Sequence, residues 1–147
     1  MEPDEIKDIG LKMIGTVTNN YESKVPENYK EDASEIEIFE QYEDALLGIE
    51  ENSHIAILCW FDKSDREVLQ VHPMGDRSIP LTGVFATRAP VRPNPISYTV
   101  CELLERDGNK LIVKGLDALD DTPVIDIKVY KQYDIEDPEY PDWAPED

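Results

Sequence analysis

The sequence is short of positive charge, of histidine and cysteine, and of long apolar runs, and each shortage removes a class of protein. Fourteen Lys and Arg stand against 33 Asp and Glu, a formal net charge of -19 on 147 residues. Self-repulsion on that scale keeps a chain soluble and weakens its non-specific attraction for polyanions. The two histidines, His54 and His72, fall on different predicted elements, and no Cys/His pair has metal-ligand spacing, so there is no basis for a zinc site. The two cysteines, Cys59 and Cys101, each lie inside an apolar run, which predicts buried thiols rather than a disulfide. No stretch approaches the roughly 18 apolar residues of a membrane span. The acidic N-terminus lacks the basic and apolar regions of a signal peptide, so a cytoplasmic protein is expected. Also missing are a G-x-G-x-x-G turn, a Walker-type loop and a nucleophile elbow, which argues against a Rossmann-type cofactor site, a phosphate loop and acyl-enzyme chemistry.

What is present reads as one strand-rich domain. About 40 % of the residues are hydrophobic, and runs rich in Ile, Val, Leu, Tyr and Phe are separated by Pro, Gly and Asp. Residues 1–10 form a charged lead-in and residues 132–147 an acidic tail; between them, residues 11–131 form the folded domain. A first strand is predicted over 11–17, then a long loop over 19–34, and an alternating strand over 35–39. Tyr42, Ala45, Leu46 and Ile49 have helical spacing, which predicts one short amphipathic helix over 41–49. The nearly all-apolar run 54–61 reads as a central strand, and 67–71 as a short one. From 72 to 95 the chain is dense in proline around a brief strand at 84–87. Residues 96–106 and 110–114 form a hairpin joined at Asp107-Gly108. The last strand, 123–130, alternates so that Asp126, Lys128 and Tyr130 share one face and Ile125, Ile127 and Val129 the other. The sum is a mainly β fold, a small closed barrel of about seven strands with one short helix.

Two stretches carry chemistry. In Gly83-Val84-Phe85-Ala86-Thr87-Arg88-Ala89-Pro90-Val91-Arg92-Pro93-Asn94-Pro95-Ile96, two arginines four apart are held by three prolines. Such a segment presents two guanidinium forks and an Asn amide with little entropy left to lose, an arrangement suited to an anionic ligand. It reads equally well as a structural loop whose arginines pair with the chain's own acids. In Gly115-Leu116-Asp117-Ala118-Leu119-Asp120-Asp121-Thr122-Pro123-Val124-Ile125-Asp126-Ile127-Lys128, a loop with three acids opens onto a strand. A carboxylate beside backbone donors can hold a ribose hydroxyl or an amine; the alternative is a simple Asx turn, with Asp126 and Lys128 pairing along the strand. If RNA is bound, Arg66, Arg77, Arg88, Arg92 and nearby lysines must do it, with the acidic termini turned away.

These two stretches, in this order and spacing, with IGTV and SHIAILCWF upstream, resemble the paired signature of the TrmO-like (TsaA-like) tRNA adenine N6-methyltransferase family. The resemblance covers about residues 11–131. It implies a small β-barrel that dimerises and binds S-adenosyl-L-methionine in a pocket partly made at the subunit interface. It also implies methylation of N6 of threonylcarbamoyladenosine next to the tRNA anticodon. By position it assigns Arg88, Tyr98, Leu116, Asp117, Asp62 and Lys63 to the cofactor, and the family often has Phe-His where this chain has Phe61-Asp62-Lys63. Arg92, Asn94, Asp126 and Lys128 would bind substrate or shape the loops. The family's Pro-Arg-Gln becomes Pro26-Glu27-Asn28, and its DGTP becomes Asp120-Asp121-Thr122-Pro123 with the glycine lost. Longer family members carry a C-terminal extension in place of the short acidic tail. No catalytic base is assigned, because a sulfonium methyl is already activated and the protein's task is alignment. Two other readings stand beside it: a methyltransferase for a small-molecule or protein substrate, which the acidic charge favours, and a non-catalytic S-adenosyl-L-methionine-binding module.

Overall fold

The computed structural model describes residues 7–132 and 137–145. Most of the lead-in and parts of the acidic tail therefore lie outside the described residues. Six strands close into an antiparallel barrel in the order β1, β2, β7, β6, β3, β8: β1 (Gly15–Thr18), β2 (Ala33–Ile38), β3 (His54–Trp60), β6 (Ile96–Asp107), β7 (Lys110–Lys114) and β8 (Pro123–Val129). The barrel shuts where Gly15 and Thr16 of β1 pair with Val124 and Pro123 of β8. Two short strands, β4 (Gln70–Val71) and β5 (Thr82–Gly83), form a separate ribbon. The class is as expected, with six barrel strands rather than about seven. No helix of the described residues is long and apolar enough to cross a membrane.

The differences from the sequence reading have local causes. The helix expected over 41–49 is present but wound as a 3₁₀ segment, Glu40–Leu46. Gly48, at φ 87°, ends it before a second short turn at Ile49–Glu51. Only Leu46 of the first segment is buried, so its apolar stripe is too narrow to hold a longer α-helix against the barrel. Val84–Ala86 is a 3₁₀ turn rather than a strand, and the neighbouring Thr82–Gly83 does the pairing. The first strand starts late, at Gly15, and Ile9 and Leu11 ahead of it are exposed. In β8 a bulge opposite Leu58 and Cys59 changes the phase of the alternation, so Val124, not Ile125, enters the core. The hairpin turns on Gly108-Asn109, one residue later than Asp107-Gly108, because Asp107 still pairs with Lys110. Gly108 takes the positive φ of 61° that the first residue of a II′ turn requires.

The core is built from the inward-facing residues of every barrel strand, among them Val17, Ile36, Ile38, Ile55, Ile57, Leu111, Val113 and Val124. Leu116 and Ala118, from the loop before β8, join them. Both cysteines are free and buried, as expected, and burial pushes each thiol up to about 12. Neither thiol is expected to react with Ellman's reagent in the native protein at pH 8, whereas two equivalents react in denaturant; fast native labelling would contradict this core. Gly15 is the tightest point of the barrel, since a Cβ there would lie 2.2 Å from the carbonyl oxygen of Glu37. Gly15→Ala is therefore expected to lower stability by about 1–3 kcal/mol, read as a shifted urea midpoint; an unchanged midpoint would show that the β1–β2 contact is slack.

Candidate functional site

Because every neighbouring pair in the barrel is antiparallel, the connections alternate between its two ends. The loops 19–32, 61–95 and 115–122 all open at one end, and the connection 39–53 and the hairpin turn at the other. The two chemically informative stretches, which are far apart in sequence, thus share one rim. Asp62 and Lys63 join them on the turn leaving β3, both exposed.

Arg88 is exposed and its guanidinium lies 5.8 Å from the centroid of the Tyr98 ring. A cation over a ring face is held by the ring quadrupole while its hydrogen-bond donors stay available at the edges. Tyr98 stands on the outer face of β6, 48 % exposed, opposite Leu58. Arg92 is used differently. Its Nη1 donates to the carbonyls of Ala89 at 2.9 Å and Thr87 at 3.3 Å, and its Nη2 to that of Val84 at 2.9 Å. The side chain shapes the loop from within and holds Arg88's segment in place.

Arg66 braces the same loop from outside. It lies 5.0 Å over the Trp60 ring and donates from Nε to the Pro93 carbonyl at 2.7 Å and from Nη2 to Oδ1 of Asn94 at 3.2 Å. The backbone N–H of Arg92 closes the clip on the carbonyl of Asp65 at 3.1 Å. Asn94 is therefore a strut in this brace. Of the arginines named from sequence for RNA, Arg66 and Arg92 spend their donors on the chain's own carbonyls and amide.

In the second loop Leu116 and Ala118 are each 1 % exposed and Asp117 between them is exposed. The side chain of Leu116 is thus a core anchor, and its contribution to the rim is to turn Asp117 outward. Asp126 and Lys128 sit further down β8, opposite Leu58 and Ala56. They pair with each other at 3.7 Å, both half-exposed or more. They border a cavity of about 350 Å³ that Tyr42, Leu46 and Ile49 line at the opposite end of the barrel. A second, open cavity of about 520 Å³ lies against Lys24, Pro26, Glu27 and Asn28, in the first loop of the rim.

Sequence reasoning missed the groups that tie this first loop down. Asn19, Tyr21, Asp32 and Ser34 bond to one another and to residues 118–120. Asn19 following a β-branched run was the available signal, an Asn poised to cap the strand exit. Burial, and then the hydrogen bond to Asp32, push the Tyr21 hydroxyl up to about 12, so it is a neutral donor at physiological pH.

Comparison with known proteins agrees with this architecture. Residues 19–135 match the family model described as the tRNA-methyltransferase O N-terminal domain. A protein of Archaeoglobus fulgidus named "S-adenosyl-L-methionine-binding protein" is 46 % identical over 124 residues, 82 % of this chain and 88 % of that protein. A second, longer protein of that organism, named "Probable S-adenosyl-L-methionine-binding protein", is 48 % identical over 126 residues, 83 % of this chain but 34 % of its own length. The crystal structure of TrmO from Pseudomonas aeruginosa superimposes with a TM-score of 0.74 at 28 % identity, covering 95 % of this chain and 64 % of that one. The chain thus spans about a third of the longer Archaeoglobus relative and somewhat under two thirds of that TrmO. With a family match over most of its length, a shared fold and the two signature loops on one rim, the chain belongs to the family defined by the N-terminal domain of tRNA-methyltransferase O.

Proposed function

We propose that this chain is an S-adenosyl-L-methionine-dependent methyltransferase acting on N6 of threonylcarbamoyladenosine beside the tRNA anticodon. It works as a homodimer in the cytoplasm, with the barrel of residues 11–131 as the catalytic unit. The observation that carries this reading is the pairing of Arg88 with Tyr98 on the same barrel end as the outward-turned Asp117.

The donor set fits the cofactor. Arg88 is a fork for its carboxylate, Asp117 an acceptor for a ribose hydroxyl or the ammonium, and the Tyr98 ring a flat, electron-rich surface for adenine or the sulfonium. Leu81, Phe85 and Ile96 expose apolar surface around this rim, at 56 %, 82 % and 40 %. A second subunit covering them would exclude water from the cleft, which supports the dimer. The cofactor supplies a methyl group already activated by the sulfonium charge. The chain's part is to hold the two reactants in line, and a neutral exocyclic amine needs no strong base to attack.

The net charge of -19, together with the internal use of Arg66 and Arg92, favours one other reading, a small-molecule or protein acceptor. The relatives' names also leave room for a binding module without turnover. One experiment separates the three. Purified chain, cofactor and tRNA bearing threonylcarbamoyladenosine are expected to yield that nucleoside heavier by one methyl. Cofactor binding without tRNA methylation would reject the tRNA reading in favour of another acceptor or none, and absence of cofactor binding would reject all three. Arg88→Ala is expected to weaken cofactor binding by about 1–3 kcal/mol, about 5- to 150-fold in dissociation constant. An unchanged calorimetric affinity with the fold intact would remove Arg88 from the site.

A further inference from the structure

The first loop, residues 19–32, and the Asp117 loop, residues 115–122, are fastened together at one residue. Asn19 leaves β1 with both ends of its side-chain amide bonded: Oδ1 accepts from the backbone N–H of Tyr21 at 2.9 Å, and Nδ2 donates to the Ser34 hydroxyl at 3.1 Å and to the carbonyl of Ala118 at 2.9 Å. Its own backbone N–H donates to Oδ1 of Asp120 at 3.0 Å. One orientation of the amide alone satisfies both a backbone N–H and a backbone carbonyl, so the group must be an amide and must face this way.

The other links repeat the same connection. The N–H of Asp120 donates to the carbonyl of Tyr21 at 2.7 Å, and that of Gly115 to the carbonyl of Asp32 at 3.1 Å. Tyr21 Oη donates to Asp32 Oδ2 and so closes the neck of the first loop. Beyond that neck lie Pro26, Glu27 and Asn28 with their cavity; beneath it lies the loop that turns Asp117 outward between its core anchors Leu116 and Ala118.

We infer that Asn19 is the positioning residue of the cofactor cleft, setting the Asp117 loop against the neck of the first loop and the start of β2 without touching the ligand. The inference rests on the reading of this rim as the cofactor site. Two bonds from Nδ2 tie together two separate elements, Ser34 near the rim-end start of β2 and Ala118 beside Asp117. A displacement on the order of 1 Å in a loop that carries a ligand contact is enough to change binding and rate strongly.

The test compares Asn19→Ala, Asn19→Asp and Ser34→Ala with Leu111→Ala, a core substitution on β7 away from the rim. Cofactor affinity is read by calorimetry, the thermal midpoint by circular dichroism, and amide exchange at residues 115–121 by mass spectrometry. Asn19→Ala and Asn19→Asp are expected to raise the cofactor dissociation constant at least tenfold and to speed exchange in 115–121. Ser34→Ala, which removes one of the two Nδ2 partners, is expected to do so less. Leu111→Ala is expected to lower the midpoint while leaving the affinity within twofold. Wild-type affinity in both Asn19 variants, or an equal loss in Leu111→Ala, would overturn the inference. Should the wild-type chain bind no cofactor, the reading of the site fails by itself. Exchange at 115–121 then still decides whether Asn19 sets the loop, because unchanged exchange in the Asn19 variants would overturn that as well.

Discussion

Closure of the barrel between β1 and β8 is the constraint on which the rest depends. An even ring of antiparallel strands has no free edge and sends its connections alternately to opposite ends. Once Gly15 meets Val124, the loops after β1, β3 and β7 must share a rim, whatever their sequence separation. The closeness of β1 to β2 at Gly15 makes that closure demanding, since no side chain fits there. The rim is therefore a product of topology first and of its own residues second.

Charge is handled on that rim in an unexpected way for so acidic a chain. The two arginines with the best-defined hydrogen bonds on this rim both grip the 84–94 stretch, Arg92 through three of its carbonyls and Arg66 through the Pro93 carbonyl and the Asn94 amide oxygen, where each acts as a many-toothed clamp. Asp120 likewise accepts from a backbone N–H. Backbone groups, which exist at every position, thus take the place of ion pairs that an excess of carboxylates would leave incomplete. Such short bonds to backbone groups are screened little by salt, in contrast to any long-range attraction for a charged partner.

Much of this was legible in the sequence because its strands carry strong local signals. Residues 54–60 are nearly continuous in apolar side chains, 35–38 alternate acid and apolar, and Asp107-Gly108-Asn109 marks a hairpin to within one residue. Where periodicity depended on a partner, it misled. Ile125 fits the alternation, yet a bulge set by β3 gives its place to Val124. The Tyr42–Ile49 pattern fits a helix, yet the barrel offers it only enough surface for 3₁₀ turns. Within the site, the outward placement of Asp117 could be guessed from its apolar neighbours. The inward use of Arg92 could not, because a guanidinium that binds a ligand and one that binds its own loop look alike in sequence. Asn19 escaped notice for a related reason: its partners lie 15 and 99 residues away.

The loop between Asp117 and β8 keeps one backbone oddity. Asp121 sits at φ 67°, at the position where the resembling family motif DGTP has its glycine. Its N–H donates to the carbonyl of Val17 at 2.8 Å, so the left-handed turn belongs to the stitch between β1 and β8 and cannot relax without opening it. Aspartate enters this region more easily than most residues, though less easily than glycine. A glycine there would also free the unfolded chain, so part of the native strain is returned as lost disorder in the denatured ensemble. The exchange puts a side-chain carboxylate on the exposed turn at this end of the barrel, where the resembling motif has no side chain at all.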